Sequence, residues 1–416
     1  MTFCAIDFGT SNSAVALPAG DAMQLVPLEG GSGMLPSAIF FNTEDHTRLF
    51  GRQAIERYVE GYDGRLMRSL KSILGSPLAL ATTEIGDGTA LPFLDVIGIF
   101  LAHLIQTAER HGGARLTRGV LGRPVFFVDG DDEADQAAEA QLAAAAHAAG
   151  LEEVHFQYEP IAAAFDYESR LSDERLVMVA DIGGGTSDFS LIRLGPQRAR
   201  RLERRDDVLA HGGVHLAGTD FDKRVALAST MRELGYGSLD VAGREVPNRL
   251  YFDLATWHLI NTVYTARRIA EFDAMRHDYR EPIYHARSMR VLEQCLGHAL
   301  AASAEAAKIA VSNGGSTSVD MSFVEAALRR DFDEAALIEA GALETRRIVD
   351  AALTTCEMAG VRPDRVDAVY FTGGSTGLRF LSSAIARAFP QAEPVQGDRL
   401  SSVAAGLGIH ARRVFR

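Results

Sequence analysis

Two short stretches of this chain have nearly the same plan. Cys4 to Leu17 reads CAIDFGTSNSAVAL, and Met178 to Leu191 reads MVADIGGGTSDFSL. Each runs an apolar strand into Asp-apolar-Gly, passes a turn of Gly, Ser or Thr, and leaves along a second apolar strand. The pattern predicts two β-hairpins whose small-residue turns expose backbone. One hairpin opens each half of the chain, which predicts two related halves facing each other across a cleft.

Between and after the hairpins the pattern alternates. Val120 to Phe127 reads as a strand with a Gly-Arg-Pro kink, and Val154 to Tyr158 as another strand. Asp131 to Ala149 is Ala-rich, with acids in its first turn and Gly150 beyond its end, which predicts a helix. A helix over Ile161 to Tyr167 follows Pro160. In the second half Val225 to Leu234, Leu296 to Val311 and Gly377 to Phe389 read as helices, and Val366 to Thr372 as a strand. Residues 251 to 295, with the single Trp257, have helical period and suggest a lid-like helical subdomain. Alternating strands and helices define an α/β class with mixed sheets.

Composition narrows the function. The formal net charge of −13 disfavours phosphate backbones, so nucleic acid is not an expected partner. The run Arg198, Arg200, Arg201, Arg204, Arg205 is interrupted or followed by Glu203, Asp206 and Asp207 and reads as a solvated loop. Cys4, Cys295 and Cys356 lie far apart without metal-ligand spacing, so buried, inert thiols are expected. No stretch approaches the ~20 apolar residues of a membrane span. No signal peptide is recognisable, and a cytoplasmic location is expected.

A protein that hydrolyses a nucleoside triphosphate needs amides around the phosphates, carboxylates for hydrated magnesium and a group to orient water. Gly9, Thr10, Ser11 and Asn12 could wrap phosphate oxygens, and Asp7 at the strand end could hold a magnesium-bound water. Gly183, Gly184, Gly185 and Thr186 allow close approach of another phosphate, flanked by Asp181 and Asp188 on opposite arms of the hairpin. There is no GxxxxGK[ST], no GxGxxG in a βαβ unit and no HExxH.

The segments AIDFGTSNS, EPIAAAFDYE, ADIGGGTSDFSL, GTDFDKRV and FTGGSTGLRFL occur in the order of the five signature segments of the actin-like ATPase superfamily. With RSLKSILG and LGRPVFF, the chain most resembles the DnaK-type heat-shock protein 70 family, specifically the YegD-like chaperones, over essentially its whole length. The resemblance implies a two-lobed, ribonuclease H-like duplicated fold with ATP or ADP and magnesium between the lobes. It implies lobe I over 1–170, with an insertion near 38–111, and lobe II over 171–416, with a helical subdomain near 221–309. A terminal helix near 400–416 would pack on lobe I. It further implies that Asp7 and Asp181 hold magnesium waters. Lys71 would contact the γ-phosphate, and Glu159, Asp188 and Thr186 would surround the attacking water. Thr10 to Asn12 and Gly183 to Thr186 would form the phosphate loops. Gly373, Gly374, Ser375, Glu305 and Lys308 would contact the adenosine.

Three departures stand out. The family's two adenine-sandwiching arginines are replaced by Ile309 and Gly377, each arginine being worth about 0.5–2 kcal/mol as a cation–π contact. Thr219 replaces an acid of a GEDFD-like segment. After VAAGLG the sequence ends at Arg416, where the resemblance would lead into a peptide-binding domain, so a chain without that domain is expected. The expected function is therefore a slow magnesium-dependent ATPase acting as a conformational switch, read by an unidentified client, co-chaperone or exchange factor. A non-hydrolysing nucleotide-binding regulator, an actin- or MreB-like filament protein and a sugar or acetate kinase of the same superfamily are the rivals.

Overall fold

The computed structural model describes every residue except 1, 2, 21, 87, 129, 258, 398–401 and 416. Both hairpins form. Strand Phe3–Phe8 pairs antiparallel with Asn12–Ala19, and Arg175–Ile182 pairs antiparallel with Ser187–Leu194. Each hairpin seeds a larger mixed sheet.

The first sheet runs, edge to edge, Glu153–Tyr158, Arg118–Arg123, Phe3–Phe8, Asn12–Ala19 and Ala22–Leu25, with Met34–Pro36 also on Asn12–Ala19. The second runs Glu393–Gln396, Ala368–Thr372, Arg175–Ile182, Ser187–Leu194 and Val208–Val214. In both, three consecutive strands form an antiparallel meander, and two later strands add in parallel beside the first. The two sheets thus share strand order and strand direction. This is the duplication that the repeated hairpins predict, now extended to five strands.

Local chemistry explains most boundaries. The Ala-rich helix spans Asp132–Ala148, and Asp131 caps it by accepting from Ala134 N at 3.0 Å. The strand expected to reach Phe127 stops at Arg123, because Pro124 has no N–H to continue the ladder. The helix expected over Val225 to Leu234 is divided at Ser229 into Gly218–Ala228 and Thr230–Glu233. The 251–295 region contains helices Ala266–Asp273 and Pro282–Glu293, with Arg249–Leu254 leading in.

A shared apolar core joins the sheets. It combines Phe3, Ala5 and Val120 of the first sheet with Val177, Val179 and Tyr370 of the second. Helix Glu159–Ala163 and helix Ser402–Val414 lie in the same core, contributing Ile161, Ala162, Ala404 and Leu407. Helix Ser402–Val414 packs on Phe3–Phe8 and Glu159–Ala163, so the end of the chain returns to the first sheet. Residues 400, 401 and 416 of the expected terminal helix lie outside the described residues.

The arginine run departs from its solvated reading. Arg204 is buried, pairing with Glu168 at 2.8 and 3.0 Å and with Asp207. Arg198 pairs with Asp207 and, at 2.7 Å, with Glu174. Two buried acids, distant in sequence or local, turn an apparent surface charge into a core ion cluster. Among the thiols, Cys4 and Cys356 are buried as expected, whereas Cys295 is exposed.

Candidate active site

The two hairpin turns meet at one cleft of about 1130 Å³. All the residues singled out in the sequence line it: Asp7, Gly9 to Asn12, Lys71, Glu159, Asp181, Gly183 to Thr186, Asp188, Glu305, Lys308 and Gly373 to Ser375. A methyl group added at Gly184 would stand 3.2 Å from Ser11 Oγ, so the turns of the two sheets nearly touch.

The second turn is fixed by its carbonyls. Gly183 O accepts from Ser375 Oγ at 2.6 Å and from Gly218 N at 3.3 Å. Gly184 O accepts from Thr219 N at 2.8 Å and Thr219 Oγ1 at 2.9 Å. A trans peptide sets each N–H opposite the preceding C=O, so the amides of Gly184 and Gly185 face away from these partners. Such oriented amides make an anion-binding concavity. Thr219, a departure in the sequence, therefore acts as a clamp on this turn. The first turn is fixed by Ser37, whose Oγ donates to Gly9 O at 2.6 Å and whose N–H donates to Ser11 O at 2.9 Å. Sequence reasoning missed Ser37, which lies outside the hairpin motif.

Carboxylates crowd the floor. Asp181 and Asp188 are directly opposed in the antiparallel register, which puts both side chains on one face. Gly373, at φ 84°, makes room for the first of them: a Cβ there would meet Asp181 Oδ1 at 2.5 Å. Lys71 is buried in the turn Leu70–Ile73 and ion-pairs with Glu159 at the start of helix Glu159–Ala163. Ser69, at φ 56°, precedes that turn in the left-handed region, where a non-glycine residue is strained.

One lysine does not neutralise this cluster. Asp7 is pushed up to about 8 by burial and by Glu159 and Asp181, against the opposing effect of Lys71. Asp181 is pushed up to about 7 by burial, Asp188 and Glu159. Burial also raises Asp188, opposed by the 2.7 Å hydrogen bond from Thr186 Oγ1 and by His211. His211 was not anticipated; it faces Ser190 across the sheet, with Nδ1 3.0 Å from Ser190 Oγ. Carboxylates whose proton affinity is raised by burial and mutual repulsion fit a hard divalent cation. Among the described residues no three acid, histidine or cysteine side chains group closely enough to hold a metal directly.

At the far end of the cleft, Lys308 ion-pairs with Asp222 at 2.6 Å and donates to Gly218 O at 3.3 Å. Glu305, Ile309 and Ser312 occupy the same stripe of helix Gly297–Val311 and its cap.

Two sheets of matching topology, joined by a common core and opening on a cleft between paired glycine turns, define the α/β actin-like ATPase fold. Residues 82–233 match the family model described as Hsp70 protein. That match supports an Hsp70-type reading within the superfamily and suggests a nucleotide-binding, chaperone-like function. The matched span contains Glu159, the second hairpin turn and Thr219; the first hairpin, Lys71 and residues 305–375 join the site through the fold. Among the described residues no helix is long and apolar enough to cross a membrane.

Proposed function

We propose that this chain is a slow, magnesium-dependent ATPase whose two lobes, 1–170 and 171–416, close on ATP and relax after hydrolysis, and that a protein partner reads the difference. One observation carries the reading: both phosphate-type turns, Lys71, Glu159 and three aspartates converge on a single cleft. Asp7 and Asp181 reach it from different sheets, so one hydrated ion and one triphosphate would tie the lobes together. Magnesium, when bound, would neutralise β- and γ-phosphate charge.

The chain's own groups then divide the work. The Gly184 and Gly185 amides and the Gly9 to Asn12 turn grip phosphate oxygens. Glu159 orients the attacking water and receives its proton, with Asp188 and Thr186 beside it. Lys71 lies against Glu159 and supplies positive charge where the transferring phosphoryl group gains negative charge. Since Lys71 and Glu159 are already paired, hydrolysis requires the phosphate to draw Lys71 partly away, which accords with slow turnover. The cytoplasm is the compartment we propose.

Single-turnover hydrolysis tests this. Wild type should convert bound MgATP to ADP, while Lys71→Ala, and Lys71→Met as the space-filling control, should bind ATP yet hydrolyse it at least ~100-fold more slowly. Wild type that binds ATP but shows no hydrolysis above the variants would instead make the chain a nucleotide-binding regulator.

A further inference from the structure

Two elements that carry water-site residues are tied together away from the cleft. Helix Glu159–Ala163 follows strand Glu153–Tyr158 of the first sheet, and a further helical turn, Phe165–Glu168, continues it. Glu159 lines the cleft, and Glu168 lies about 13 Å of helical rise further on. Strand Ser187–Leu194 of the second sheet has Asp188 at its cleft end. Its other end, roughly 20 Å along the strand, runs through Gly195 into the connection that holds Arg204. Neither Glu168 nor Arg204 lines the cleft.

The far ends meet through one buried fork. Arg204 donates from both terminal nitrogens to Glu168, at 2.8 and 3.0 Å, and Gly195 N–H donates to the same carboxylate at 3.0 Å. Arg204 Nε is taken by Asp207, which also binds Arg198. Glu168 and Arg204 are each only 1% exposed. The terminal helix adds a second tie. Its Arg413 donates to Ala199 O of the same connection, and the guanidinium lies 5.2 Å from the ring centre of Phe165.

A buried ion pair is poor evidence of stability, because apolar side chains of similar size often serve as well. What a bidentate fork fixes is register, since it sets distance, plane and direction together. We propose that Glu168 and Arg204 are a positioning pair for ATP hydrolysis, fixing the helix that bears Glu159 against the strand that bears Asp188. The groups around the attacking water come from two sheets, and this pair keeps their spacing. The proposal rests on the hydrolysis reading above. Both residues act through the elements they join rather than on the reacting atoms. The phosphate turns have clamps of their own in Ser37, Thr219 and Ser375, so ATP binding does not depend on the pair. Hydrolysis does, because a misplacement of about 1 Å at the reacting groups can cost about 100-fold in rate.

Single-turnover hydrolysis, MgATP affinity by calorimetry and folded fraction by circular dichroism, all on the full chain, test this. Arg204→Lys keeps the charge but loses the fork. Glu168→Gln combined with Arg204→Met removes both charges and leaves an acceptor for Gly195 N–H. In both, hydrolysis should slow about 10- to 100-fold while ATP affinity stays within about threefold of wild type. Arg198 binds Glu174 and Asp207, which both flank strands of the second sheet, so it does not join the two elements. Arg198→Lys should therefore hydrolyse within about threefold of wild type. Wild-type rates in the folded pair variants would overturn the proposal. A rate loss that only matches lost folded fraction or lost ATP affinity would also overturn it, by making the pair merely structural. Wild type that binds ATP without hydrolysing it would overturn the hydrolysis reading, and the proposal with it.

Discussion

At the scale of single residues, the site works against the stability of the empty protein. Asp7 and Asp181 titrate near 8 and 7, whereas an unfolded chain releases these protons near pH 4. The folded, ligand-free chain therefore binds more protons than the unfolded one across that window. Its stability from these groups is full below about pH 4 and is lost as pH rises towards about 8. Asp7→Asn removes one source of the repulsion. In thermal melts with chelator and no nucleotide, the variant should exceed wild type by a few degrees at pH 8, and the gap should shrink towards pH 6. A gap that widened on acidification, or a variant less stable than wild type at pH 8, would contradict the electrostatic account. Most of these residues were legible in the sequence because each sits at a fixed offset from a glycine turn. Ser37, Asp222 and His211 were not, since what brings them to the cleft is sheet pairing and helix docking rather than any local pattern. Arg204 misled for the converse reason: its partner Glu168 lies far back in the chain, so its neighbours alone suggested exposure.

At the scale of elements, the piece carrying Lys71 is held by a contact from the second half of the chain. Strand Gly64–Arg68 ends at Arg68, and its guanidinium lies over the ring of Trp257 at 4.1 Å. Arg68 belongs to the first half and Trp257 follows helix Arg249–Leu254 of the second, so the contact links the halves three residues from Lys71. A cation–π pair of this kind contributes about 0.5–2 kcal/mol, enough to alter how readily the two halves part and hence how fast a ligand between them leaves. Trp257 is the single tryptophan, so its fluorescence reports directly on the clasp. Stopped-flow mixing with MgATP should change that fluorescence in wild type. In Arg68→Ala the change should be smaller and nucleotide release about 2- to 10-fold faster. Unchanged amplitude and release rate would show that the clasp plays no part in holding nucleotide. Helical period marked the region around Trp257, but sequence could not say which residue its ring meets.

At the scale of the whole molecule, duplication explains why the site exists. Each half builds a sheet of the same order, and each sheet presents one small-residue turn at the same place on its hairpin. The shared core, rich in alanine, with helices Glu159–Ala163 and Ser402–Val414 within it, lets the sheets approach until the turns converge. The hairpins and the α/β alternation could be read from the sequence because both are local. The matching five-strand order could not, because strands Ala368–Thr372 and Glu393–Gln396 join Arg175–Ile182 only after a long helical excursion. The central claim is that one nucleotide bridges the two halves. Calorimetric titration of MgATP against wild type, Asp7→Asn in the first sheet and Asp181→Asn in the second measures it most directly. The account predicts one nucleotide per chain and a loss of at least about tenfold in affinity, near 1.4 kcal/mol, for each variant alone. Wild-type affinity in either variant, or two independent sites per chain, would contradict it.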